Sequence, residues 1–273
     1  MTNGSGASQQ RPARGPGDRR RQPQHRDKRH HDKRGHRDQR GDDDQRRDRG
    51  PREPRQPRGP RIPEGVDPAE LDPSVINELR TLPEDMRDRV GCLLVAAEWA
   101  LEDDEPESAL EFTKEAKRLA GRVACVREAH GITSYRNARY ADALSEFRAV
   151  RRMTGDDSFI PMMADCERGL GRPERALEVL KGFRPSDPAL KIEAIIVGAG
   201  ARGDAGQHEA ALVMLDVPEL MNGPDTAERL RLRYAYAATL EALGRHDEAH
   251  QWFATVARED VDQLTDAHTR TTA

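Results

Sequence analysis

Residues 162–177 read M-M-A-D-C-E-R-G-L-G-R-P-E-R-A-L. Two small residues, Ala164 and Ala176, stand twelve positions apart on either side of Leu170-Gly171-Arg172. A glycine between a leucine and an arginine suits the left-handed residue that ends a helix. The stretch predicts two helices meeting at a tight turn, with alanines where their backbones approach.

The same arrangement recurs along the chain. Ala109, Ala143, Ala176, Ala211 and Ala249 are spaced 34, 33, 35 and 38 residues apart, each opening an amphipathic segment. Twelve or thirteen residues before each lies another small residue: Ala97, Gly131, Ala164, Gly198 or Ala199, and Ala237. Small side chains at both places let helix backbones pack closely, and a fixed period of this size marks a stacked helical array. First helices are predicted near 123–136, 158–170, 189–202 and 226–243, and second helices near 140–154, 173–183, 207–215 and 246–259. Asp72-Pro73 begins a short helix, with an N-cap acid and an N1 proline. Pro83-Glu84-Asp85 begins a longer one carrying Val90, Leu93, Leu94, Ala97 and Leu101 at helical spacing. Glu105–Ala120 is its expected partner.

Over roughly residues 85–259 this pattern resembles the tetratricopeptide repeat (TPR) family, whose ~34-residue helix–turn–helix uses small residues at these two helix contacts. The place of the family's early aromatic holds Leu93, Arg127, Ile160, Ile195 and Arg233, so the repeats are degenerate. Residues 162–177 are also similar to stand-alone TPR proteins of high-GC bacteria. The resemblance implies an all-α, right-handed helical-hairpin solenoid of about five repeats. It also implies that the first helices line a concave face that binds a protein segment. In that register the groove holds Glu98, Glu128, Tyr135, Arg136, Asp165, Arg168, Arg202, Arg231, Tyr234 and Glu241, with Tyr135 and Tyr234 as candidate anchors. TPR domains that clamp chaperone tails carry basic and amide side chains at places that here hold Leu94, Glu98 and Ala129. A chaperone-tail receptor is therefore not implied.

Composition divides the chain. Residues 1–61 contain no Leu, Ile, Val, Phe, Tyr or Trp and hold 19 Lys and Arg against 9 Asp and Glu. The remainder holds 26 basic and 40 acidic residues, so the near-neutral total hides a charge of +10 facing one of −14. A segment without apolar residues cannot offset its ordering entropy, so 1–61 is expected to be a disordered basic tail. Residues 62–264 are expected to form the repeat domain, and the polar 265–273 to fray. Pro51, Pro54, Pro57, Pro60 and Pro63 recur every third residue, the period of polyproline II, with arginines in step. This is either a semi-rigid basic spacer or a compositionally biased linker. His25, His30, His31 and His36 sit among basic residues that oppose a metal ion, so no metal site is expected. The first residues lack the hydrophobic stretch of a secretory signal, and no apolar run approaches the length of a membrane span. These absences point to a cytoplasmic location. Cys92, Cys125 and Cys166 lack ligand spacing and read as small apolar residues in helices.

One motif points elsewhere. Gly198-Ala-Gly200-Ala-Arg-Gly203 follows I-E-A-I-I-V and has the G-x-G-x-x-G form of a dinucleotide fingerprint. Ile192, Ile195, Ile196 and Ala199 also fit one helix face. The helical reading expects the glycines to loosen the end of that helix. No catalytic constellation is present, so no enzyme activity and no cofactor are expected. The leading expectation is a non-catalytic scaffold that binds a protein partner of unspecified identity. The alternative is an RNA- or ribosome-associated protein whose residues 11–61 contact phosphates nonspecifically.

Overall fold

The computed structural model describes residues 59–222 and 226–271. The basic tail up to residue 58, with its histidine cluster and most of the proline register, lies outside these residues. Among the described residues the secondary structure is helical throughout, without a strand.

A single turn of 3-10 helix, Pro68–Glu70, precedes α1 (Pro73–Leu79). Five helical hairpins follow: α2 (Glu84–Glu102) with α3 (Pro106–Ala120), α4 (Ala124–Arg136) with α5 (Tyr140–Thr154), α6 (Ile160–Gly169) with α7 (Pro173–Leu180), α8 (Pro188–Asp204) with α9 (His208–Leu215), and α11 (Ala227–Ala242) with α12 (His246–Glu259). A one-turn helix, α10 (Pro218–Met221), is inserted before the last hairpin, and α13 (Ala267–Arg270) follows it. Helix α8 packs against both α6 and α11, and α2 against α4. First helices therefore line one side of the stack, the TPR-like arrangement.

The five hairpin turns are copies of one another. Residues 104, 138, 171, 206 and 244 are left-handed, with φ of 55°, 54°, 70°, 73° and 73°. Each lies seven residues after the small residue of its first helix, which identifies Ala199 rather than Gly198 as the register position. The following N–H reaches back across the turn in every case. Glu105, Arg139, Arg172, Gln207 and Arg245 donate to the carbonyls of Ala100, Ser134, Glu167, Arg202 and Leu240 at 2.7–3.0 Å. Glycine fills three of the five turns, as a left-handed residue favours, whereas Asp104 and Ala138 carry the strain of that conformation.

The register alanines are buried because the second helix of each pair lies on them: Ala109, Ala143, Ala176, Ala211 and Ala249 are all 2% exposed or less. Ala97, Ala164, Ala199 and Ala237 are buried opposite them, and Gly131 takes the same place in the second repeat. A β-carbon on Gly131 would lie 2.7 Å from Phe147 Cε1. Phe147 is fully buried and stacks on Phe159 with ring centroids 5.0 Å apart. Cys125 and Cys166 are buried and Cys92 half-buried, all unpaired, and burial pushes the thiols of Cys125 and Cys166 up to about 12.

Two features depart from expectation. The 38-residue interval between Ala211 and Ala249 contains α10, whose Leu220 is buried beside Leu215 and Leu232. Arg233 fixes the insertion by donating through Nε to the Leu220 carbonyl at 3.0 Å, while its guanidinium pairs with Glu259. The second is the C-terminus. Residues 265–273 were expected to fray; within the described part, to residue 271, Ala267 is fully buried and α13 packs on α12. Buried Asp260 accounts for this. Its carboxylate accepts from the Leu264 N–H at 2.7 Å, the Thr265 N–H at 2.8 Å and the Thr265 hydroxyl at 2.7 Å. Burial works against that charge, but these bonds hold its pKa below the ordinary value.

Candidate functional site

The groove residues expected from the register come from the first helices, and the structure divides them into three groups. The first is a string across the middle of the stack. The Tyr135 hydroxyl on α4 donates to Asp165 on α6 at 2.5 Å. Arg168, one turn along α6, donates to Asp165 at 2.7 Å and to Asp204 on α8 at 2.8 Å. Burial and the bond to Asp165 push the Tyr135 phenol above its ordinary range. Burial opposes the Arg168 charge, but the two aspartates hold it firmly.

Gly200 exists in this string for a spatial reason. A β-carbon there would lie 2.5 Å from Arg168 Cζ. The G-x-G-x-x-G motif lies wholly inside α8, which runs unbroken to Asp204. The glycines therefore do not form the strand-to-helix turn that a dinucleotide fingerprint needs, and they do not break the helix. Gly200 instead admits the guanidinium that ties α6 to α8.

The second group lies at the C-terminal end. Arg231 on α11 pairs with Glu193 on α8 and lies 3.5 Å from Glu228. The Tyr234 hydroxyl donates to Asp266 at 2.5 Å, and burial with this bond moves its pKa to about 12. Arg270 donates to Glu241 at 2.6 Å and sits 5.6 Å from the Tyr234 ring and 5.1 Å from that of Phe253. Between α8 and α11 a groove of about 710 Å³ remains open. Its floor is Ile196, Ala199, Gly200, Ala235 and Ala238, and Arg168, Asp204, Arg231, Tyr234 and Asp266 rim it.

The third group lies at the N-terminal end. Glu98 on α2 and Glu128 on α4 border a small apolar recess of about 120 Å³. Val75, Leu94, Leu101, Ala129 and Ile132 line it. Burial, then the nearby Glu102 and Glu70, raises the carboxyl pKa of Glu98. Burial, then Glu78 and Asp156, does the same for Glu128. Leu94, Glu98 and Ala129, the three clamp places, all border this recess.

Two expected groove residues sit apart. Arg202 donates to Gln207 at 3.1 Å across its own hairpin turn, and Arg136 reaches Asp104 in the first turn at 3.4 Å. Glu193, Asp204, Asp266 and Arg270 were not anticipated. A signal for them exists in the sequence. Tyr135–Asp165, Arg168–Asp204, Arg231–Glu193 and Tyr234–Asp266 are separated by 30, 36, 38 and 32 residues, each about one repeat. In the first three pairs a residue and its complement one period away face each other across adjacent first helices, and in the fourth the segment before α13 takes the place of the next first helix. Among the described residues no group of three or more His, Cys, Asp or Glu side chains could hold a metal ion, and no helix is long and apolar enough to cross a membrane.

No protein-family model matches this chain, and no curated protein matches it. Solved structures resemble it in shape. One is a single-site variant of a Podosopora anserina protein with nearly identical TPR-like repeats, named as a kinesin light chain. It is 15% identical, with a TM-score of 0.49, over 64% of this chain and 96% of that one. The same protein without the substitution gives 14% identity and 0.47 over 65% and 98%. A double mutant of MamA from RS-1 gives 18% identity and 0.46 over 66% and 98%. At these values the fold assignment rests on the helix pairs themselves.

Proposed function

We propose that this chain is a non-catalytic interaction scaffold that binds a segment of a partner protein along the face formed by its first helices. The observation that carries this reading is the open groove between α8 and α11. Its floor of glycine, alanine and isoleucine gives an apolar surface that a backbone can approach closely, and its polar rim supplies direction. An array of hairpins presents such a surface without the single enclosed cleft that chemistry favours.

A crosslinking pull-down from native lysate with the full chain tests it. Ala238→Arg places a long charged side chain on the groove floor, whereas Arg152→Ala removes an exposed charge from a second helix. The expected result is one protein partner recovered by the wild type and by Arg152→Ala, and lost with Ala238→Arg. Equal recovery by all three overturns groove binding. The basic tail, at +10, favours a second reading in which the chain associates with RNA. Recovery of RNA that falls steeply with salt and is indifferent to Ala238→Arg is the outcome that reading expects.

A further inference from the structure

Along most of the first-helix face each acid meets a partner. Asp165 and Asp204 share Arg168, Glu193 meets Arg231, Glu241 meets Arg270 and Asp104 meets Arg136. The N-terminal end is different. Among the described residues no basic side chain forms an ion pair with Glu98, Glu102 or Glu128. Glu70 accepts only from the Trp99 indole at 3.1 Å and the Asp67 N–H at 3.3 Å, and Glu78 accepts from the Cys125 N–H at 2.9 Å. Of these carboxylates, Glu98 and Glu128 border the apolar recess itself.

Resting on the scaffold reading above, we propose that this end of the face binds a partner segment that is both cationic and apolar, with an aliphatic side chain in the recess and lysine or arginine on its Glu98 and Glu128 rim. Like charges beside a low-dielectric surface repel one another, and a cation relieves that repulsion where an anion increases it. Burial first, and neighbouring carboxylates second, hold both rim carboxyls above their ordinary range. The acids are carried by separate elements, Glu78 on α1, Glu98 and Glu102 on α2 and Glu128 on α4. The distribution therefore matches several cations along a chain and not one point charge. The arginine-rich residues 1–61 of this protein supply charge, but they contain no Leu, Ile, Val, Phe, Tyr or Trp to enter the recess. The occupant is accordingly a segment of another protein.

Three synthetic peptides test this by fluorescence anisotropy with the full chain: one mixing leucine and lysine, one with glutamate for each lysine, and one with serine for each leucine. The Leu/Lys peptide is expected to bind best and to weaken with salt. Glu98→Gln with Glu128→Gln should weaken it by about tenfold or more. Glu111→Gln with Glu174→Gln, an equal loss of charge on second helices, should leave it within about twofold. Circular dichroism confirms that both variants fold. Equal binding of the Leu/Lys and Leu/Glu peptides, or an equal loss in the two double variants, overturns the proposal. So does binding of the Ser/Lys peptide as tight as that of the Leu/Lys peptide, because the recess then contributes nothing. If the peptides fail while the Ala238→Arg-sensitive partner is still recovered, the scaffold reading stands and only this chemistry falls. Loss of both removes the scaffold reading as well.

Discussion

Gly131 and Gly198 sit at or beside the same register place, yet their neighbours set opposite consequences for adding a methyl group. At Gly131 the new carbon meets the ring of Phe147 at 2.7 Å, and that ring is fully buried and stacked on Phe159. Overpacking typically costs about 1–3 kcal/mol, against about 1 kcal/mol gained in helix propensity. At Gly198 the close atom is Met214 Cε at 2.5 Å, the end of a flexible side chain that can swing away. Gly131→Ala should therefore lower stability by about 1 kcal/mol, and Gly198→Ala should raise it by up to about 1 kcal/mol. Urea midpoints of the two variants decide the matter. A stabilised Gly131→Ala protein means that Phe147 has room to move and that the close approach is not tight.

At the scale of the element, two predictions concern how helices are held. The C-terminal segment depends on Asp260, whose carboxylate takes three hydrogen bonds from residues 264 and 265. Asp260→Ala should cost about 2 kcal/mol or more, since bonds to a charged acceptor are the stronger kind. It should also abolish amide protection over residues 261–271, with Asp260→Asn falling between the two. Protection unchanged from the wild type would show that burial of Ala267 alone docks α13. The second concerns α4. His130 is buried, and Nδ1 lies 3.2 Å from the Thr113 hydroxyl, itself 2.7 Å from that of Thr133. Burial first, then Lys117, lowers its pKa from the ordinary 6.5, while Glu146 and Asp142 oppose that shift and Lys114 adds to it. On acidification the unfolded chain takes up this proton before the folded one. Stability from this group is complete above about pH 6.5 and declines as pH falls below it. His130→Gln should reduce the loss in urea midpoint between about pH 7.5 and about pH 5.5. An identical loss in variant and wild type places the titration elsewhere.

At the scale of the molecule, the alanine register, the hairpin turns and most helix limits were legible from sequence because each depends on neighbours within about forty residues and on backbone approach. Ala176 and Gly171 announce a turn whatever surrounds them. The α10 insertion was visible only as extra length, since burial of Leu220 depends on Leu232 in the next hairpin. The docking of Arg270 and the pairing of Arg168 with Asp204 were missed because side chains facing the groove read as a solvated surface until adjacent repeats are superposed. The same nearest-neighbour logic shapes stability. The buried apolar residues form successive clusters rather than one core, and the clusters differ greatly in size. The one spanning α1–α4 has sixteen buried residues, including Leu79, Val90 and Leu93. The one joining α6, α7 and α8 has four, Ala164, Ala176, Val197 and Ala201. Alanines bury little area, so this junction is the weakest link in a nearly one-dimensional array. Unfolding should therefore be uneven, with hydrogen exchange slowest in α2–α4 and faster in α6–α8. Val197→Ala should widen the gap between the two by removing the largest side chain of the small cluster. A single exchange free energy from α2 to α12, unaltered in pattern by that substitution, would mean that the ion pairs along the first helices couple all five hairpins into one cooperative unit.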